Sequence, residues 1–182
     1  MNLKFLQKIL SYFILSCFVF EWGIFCGILT SKNFPFLKEP FLSFLKNYFE
    51  GFEKKTKASQ VFYIFFHNAV CLFFLIFLGL FFLIPTFFGV YTNGFILGFL
   101  FLISFEGGML GKFLKGILPH GMIEIPVILI GGALGISLWK SIFTKKVKET
   151  FLKIVKIYLF FLLPLLFISA LIEVLITPLF LL

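Results

Sequence analysis

Residues 118–135 read LPHGMIEIPVILIGGALG, an apolar run of bilayer-crossing length with a Pro, a His and a Glu in its first turns. A proline loses nothing in the first turn of a helix, where its N–H would be unpaired anyway, and Pro119 also pushes Leu118 toward extended backbone. The sequence therefore predicts a helix that starts at Pro119. At about 100° per residue, His120, Glu124, Val127, Gly131 and Gly135 share one side of it, with Gly121 adding a small residue beside the His. A lone carboxylate in hydrocarbon costs roughly 3 kcal/mol on insertion scales. This face is thus expected to meet protein or water rather than lipid, and the helix to lie at the centre of the fold.

Composition sets the class. Hydrophobic residues make up 61% of the 182-residue chain and the mean hydropathy is +1.12. Several uninterrupted apolar runs of about 20 residues are present, which excludes a soluble fold and implies an all-α, polytopic membrane bundle in a single domain. The net charge of +8 comes from Lys alone, with no Arg and no Asp. Those lysines fall between apolar runs, where they anchor helix ends at headgroups, so no nucleic-acid partner is expected. The 32 Phe residues are spread over every span and read as lipid-facing packing rather than as an aromatic cage. Cys17, Cys26 and Cys71 lie inside predicted spans and fit neither a disulfide framework nor a zinc site.

In chain order, the segment MNLKFLQK leads into an apolar run from Ile9 to Leu29. Its length and the lack of a small-x-small cleavage site favour an uncleaved first span, at about 9–30, over a signal peptide. Glu21 lies well inside it and is expected to be a structural carboxyl, protonated or hydrogen-bonded to a neighbouring helix, while Gly23 and Gly27 could let a helix approach closely. From Pro40, Phe41, Phe44, Leu45, Tyr48 and Phe52 recur at helical spacing opposite Glu39, Lys46, Glu50 and Glu53. This predicts an amphipathic surface helix at about 40–57, serving the membrane interface or a docking partner equally well.

Val61 to Phe105 contains no Lys, Arg, Asp or Glu and fits two spans, about 61–84 and 86–105, with the turn at Pro85 and Gly89. His67, Asn68 and Asn93 are its polar residues of interest, the Asn side chains as hydrogen-bonding glue across helices. Gly94 and Gly98, four apart, allow backbones to touch. Glu106 to Gly116 is a Gly-rich connection, either a mobile loop or a re-entrant segment. The central span, 119–139, ends at Trp139 and Lys140. Lys145, Lys146, Lys148, Lys153 and Lys156 follow, with Glu149 placed to pair with Lys153. The last span, about 157–180, is expected to kink at Pro164 and to turn Ser169, Glu173 and Thr177 inward. With the amino terminus cytoplasmic, each side of the membrane receives eight lysines. The compact 140–156 cluster inclines the reading to that orientation.

The central LPHGMIEIP followed by GGALG resembles the signature of the stage II sporulation protein M family. His67-Asn68, Asn93-Gly94 with Gly98, and ISALIEVLITP at 168–178 resemble further family segments in the same order. His67 stands where the first Asn of a pair is usual, and Val127 where a small Ala is usual, which implies less close helix contact there. The resemblance implies a multi-span inner-membrane protein. In spore formers such proteins hold and localise peptidoglycan-degrading partners without cutting glycan themselves.

Two functions follow as expectations. One is a non-catalytic membrane scaffold or assembly subunit that recruits cell-envelope partners, including a homodimer. The other is a transporter or channel component whose polar path is lined by Glu21, His120, Glu124 and Glu173. No cofactor and no catalytic residue is expected: HExxH, a phosphate-binding Gly loop and a nucleophile elbow are all missing. His120 with Glu124 alone supplies too few ligands for a metal.

Overall fold

The computed structural model describes residues 3–49, 52 and 55–181, and every regular element among them is helical. Five helices are long and apolar enough to cross a membrane: Gln7–Asn33, Lys57–Leu80, Leu83–Glu106, Leu110–Phe143 and Val147–Phe180. The first lies within α1 (Leu3–Asn33). The short α2 (Lys38–Phe49) follows, then α3 (Lys57–Phe77), α4 (Leu83–Glu106) and α5 (Leu110–Phe143). The last span is assembled from α6 (Val147–Ile157), α7 (Leu163–Leu171) and α8 (Thr177–Leu181), joined by π-helical turns at Tyr158–Leu162 and Ile172–Ile176.

The helix α5 is the centre. Over its most apolar window it is 61% buried, against 22–39% for the other four spans. Every residue from Gly131 to Leu138 is buried. Small residues permit this. A Cβ added to Gly131 would lie 2.4 Å from Leu72 Cδ1 on α3, one on Gly132 would lie 2.6 Å from Ser16 Oγ on α1, and one on Gly135 would lie 2.7 Å from Thr86 Oγ1 on α4. Three helices thus reach one face-to-face layer around α5. Ile76, Val90, Leu134, Leu138, Ile154, Leu162 and Leu166 fill the core there, each at most 1% exposed.

The four glycines that the sequence singled out in α1 and α4 lie in one contact between these two helices. A Cβ on Gly23 would come within 2.3 Å of the Tyr91 carbonyl oxygen, and one on Gly27 within 2.1 Å of that of Phe95. From the other side, a Cβ on Gly94 would lie 2.2 Å from the Phe20 carbonyl oxygen and one on Gly98 2.1 Å from that of Ile24. Contacts advance together along both helices, so the two run parallel with backbones touching, as small-xxx-small pairs allow.

Several boundaries differ from the sequence reading, each for a local reason. The central helix begins at Leu110, not at Pro119, and carries Pro119 and Pro126 inside it. Prolines are tolerated within membrane helices because neighbouring helices accommodate the freed backbone groups. The connection from α4 is only Gly107 to Met109, since α4 ends in a compact cap. Gly108 takes φ +67°, its N–H donates to the Phe105 carbonyl (3.2 Å), and the Met109 N–H donates to that of Ser104 (2.8 Å). No re-entrant loop forms there.

The turn between α3 and α4 lies at Leu78–Phe82, ahead of Pro85 and Gly89. Pro85 sits in the first turn of α4, where a missing N–H costs nothing. The Thr86 hydroxyl donates to the Leu75 carbonyl (2.9 Å) and pins the turn shut.

In the last span each π-helical turn ends two residues before a proline, Pro164 and Pro178. Each proline removes the donor for the carbonyl four residues earlier, Phe160 and Val174, and its ring crowds that carbonyl. Both carbonyls fall inside the widened turns, so the strain is spread over a π-turn. The Thr177 hydroxyl donates to the Ile172 carbonyl (3.3 Å), five residues back.

Helix α2 is shorter than the predicted surface helix. Phe41 meets Phe99 edge-on at 4.9 Å, and Lys38 forms an ion pair with Glu106. Phe41 and Leu45 are half-buried and Phe44 is exposed. The side chains of Tyr48, Glu50, Glu53 and Lys54 lie outside the described residues. Phe52 leaves the stripe altogether. It packs against the cluster formed by Val61, Ile64, Ala170 and Val174, and its carbonyl accepts a bond from Gln60 Nε2 (3.0 Å). Lys153 and Glu149 pair at 2.5 Å, as their spacing predicts.

Candidate functional site

The His120, Glu124, Val127, Gly131, Gly135 face of α5 packs inward, with Val127 1% exposed. At its upper end three helices bring polar groups together. Asn68 Nδ2 of α3 donates to Glu124 Oε1 at 3.0 Å, the cross-helix glue that its position predicts. Ser169 of α7, fully buried, donates from Oγ to the His120 carbonyl at 3.3 Å. Glu173, in the second π-turn of the last span, completes the group: ligand atoms of His120, Glu124 and Glu173 all lie within 4.8 Å of one another. The His120 Nδ1 atom is buried and has no hydrogen-bond partner.

Two cavities flank Glu124. One, of about 460 Å³, is lined by His67, Asn68, Thr92, Asn93 and Glu124 among apolar residues of α3, α4 and α5. The other, of about 160 Å³, is bounded by Phe20, Asn93, His120, Gly121 and Glu124. The cluster therefore has space on two sides and is not sealed in packed side chains.

Other polar residues do not converge as expected. Glu21 is exposed on α1 and does not face the bundle. His67 is exposed too, stacked on Tyr63 with ring centroids 6.4 Å apart and 3.7 Å from Cys71 Sγ. Asn93 is exposed and donates to the Gly89 carbonyl of its own helix at 2.8 Å, so it is not cross-helix glue. Gly121 packs against Ile117 and Ile125 of its own helix rather than admitting a neighbour.

The structure also holds cross-helix ties that the sequence did not single out. Tyr158 donates from its hydroxyl to the Ala69 carbonyl at 2.8 Å, and Thr86 ties α4 to α3. A Tyr at the head of an apolar run, and a Thr just after a predicted turn, were the available signals. Neither names a partner.

Five bilayer-length helices, four of them packed around a polar-faced central one, define a multi-pass, all-α membrane protein. The stage II sporulation protein M family profile matches residues 15–178, and the chain belongs to that family. No curated protein and no solved structure matches it.

Proposed function

We propose that this chain is a non-catalytic membrane assembly subunit that positions cell-envelope partners, with peptidoglycan-remodelling proteins as the class that the family resemblance implies. The observation that carries the reading is Glu21. It stands midway along the first span, exposed beside Phe18, Trp22 and Phe25, which are 64%, 61% and 50% exposed. A carboxyl in lipid costs roughly 3 kcal/mol on insertion scales, and other estimates run higher. A second transmembrane surface that supplies a donor to Glu21 removes that cost, so α1 is suited to association within the membrane. The tethered helix α2 adds an aromatic face at one end of the same helix.

The test is site-specific photo-cross-linking in the native host, with the reactive residue at position 25 and, separately, at position 160 on the opposite span. Phe160 is 79% exposed. The expected result is a discrete cross-linked product from position 25 that is lost with Glu21→Leu at normal membrane levels. Equal lipid-only labelling from both positions counts against the reading.

A second reading is favoured by the two cavities beside Glu124: a transporter or channel component, with the polar path running past Asn68, Asn93 and His120. Ion or solute flux in proteoliposomes that disappears in Glu124→Ala is required for it.

A further inference from the structure

The His120, Glu124 and Glu173 group has features that helix locking does not use. Two carboxyl groups face each other within an apolar bundle, and beside them is an imidazole nitrogen that is buried and unpartnered. Opposed carboxylates in a low-dielectric setting repel strongly unless a proton or a metal cation lies between them. A divalent cation balances two carboxylates, and a neutral imidazole supplies a third donor without adding charge.

The sequence suggests too few ligands because His120 and Glu124 come from one helix. The third donor comes from 49 residues beyond Glu124, delivered by the π-turn ahead of Pro178. Such turns often mark functional sites in helices.

We propose that His120, Glu124 and Glu173 bind one divalent first-row transition cation, of the Zn²⁺, Mn²⁺ or Fe²⁺ class, inside the spanning bundle. The donor set selects this class: imidazole favours transition metals over Ca²⁺ and Mg²⁺, while two carboxylates suit a divalent ion better than soft Cu⁺. Asn68 holds one oxygen of Glu124, the kind of outer partner that orients a metal-binding carboxylate. Ligand atoms about 2.1 Å from one ion lie at most about 4.2 Å apart. Around a tetrahedral ion such atoms lie about 3.4 Å apart, so the three groups, now within 4.8 Å, need to draw in by up to about 1.4 Å. A cavity of about 160 Å³ borders His120 and Glu124 beside the site. The proposal does not depend on the assembly reading.

The experiment is Co²⁺ binding to the full chain purified in mild detergent after chelator treatment. Metal content per chain is read by mass spectrometry and ligation by the visible d–d spectrum. The expected result is one Co²⁺ per chain, displaced by Zn²⁺, with the d–d bands lost in Glu173→Gln. Asn68→Ala keeps the ligands and is expected to weaken binding by about 10–100-fold. Glu149→Gln, on the exposed surface of α6, leaves binding unchanged. Absence of stoichiometric metal in the wild type, or a spectrum that persists in Glu173→Gln, overturns the proposal. Size-exclusion profiles identify any variant that fails to fold, and Asn68→Ala then carries the test.

Discussion

Replacing Gly27 by Ala should break the α1–α4 contact, because the new methyl has nowhere to go. Its Cβ would lie 2.1 Å from the Phe95 carbonyl oxygen and 2.8 Å from the Phe99 nitrogen, both backbone atoms that cannot rotate away. Restoring ordinary contact requires the two helices to part by about 1 Å, and overpacking of this kind costs about 1–3 kcal/mol. The same displacement moves Phe99, which holds Phe41 of α2, so the tether of α2 should loosen as well. The comparison is Gly116→Ala, where, apart from the adjoining residues and backbone of its own helix, no atom lies within 4 Å of the added carbon. There the better helix propensity of Ala makes the change neutral or stabilising by up to about 1 kcal/mol. Reversible unfolding in mixed micelles, with a fluorescent tag at the carboxyl terminus, measures both. The reasoning is refuted if Gly27→Ala unfolds with the wild type, or if Gly116→Ala is equally destabilised.

Other substitutions separate the remaining contacts. Thr86→Val removes the donor to the Leu75 carbonyl at the α3–α4 turn and should cost about 0.5–1.5 kcal/mol in the same unfolding assay. Asn68→Ala and Glu124→Ala should be coupled in a double-mutant cycle by about 0.6 kcal/mol, the average for cross-helix hydrogen bonds in membranes, and by no more than about 1.7 kcal/mol, whereas Asn93→Ala, whose own bond stays within α4, should couple more weakly to Glu124→Ala. Lys38→Ala breaks a partly exposed ion pair and should change stability by no more than about 1 kcal/mol, with α2 still held by Phe41.

The number of spans was legible because bilayer thickness fixes helix length, and Pro119 to Gly135 stood out because two ionisable groups shared a face with glycines. The glycine pairs at 23/27 and 94/98 were equally readable as close-contact surfaces. Which helix each would meet was not, since spacing along one helix carries no information about its neighbour. Glu21, His67 and Asn93 show the same limit. Periodicity says which residues share a face, and in this chain Phe, Ile and Leu cover every face, so no contrast marks lipid from protein. The start of α5 was hidden for another reason. Pro119 reads as a helix start, and only tertiary packing shows that the helix passes through it. Glu173 was expected to face inward with Ser169 and Thr177 at ideal helical spacing. The π-turn before Pro178 changes that spacing, and proximity to His120 became visible only in three dimensions.

The claim on which the polar site rests is that the His120 face of α5 and the Ser169–Glu173 stretch of the last span meet. Cysteines at 120 and 169, in a chain cleared of Cys17, Cys26 and Cys71, can be bridged in native membranes by a short thiol-reactive reagent. Cleavage at a protease site inserted in the Thr144–Lys146 turn then shows whether the two fragments stay joined. The account predicts joined fragments for the 120/169 pair and separate fragments for 122/169, because Met122 is 74% exposed on the far side of the helix. Fragments that separate for 120/169, or join as readily for 122/169, would contradict it.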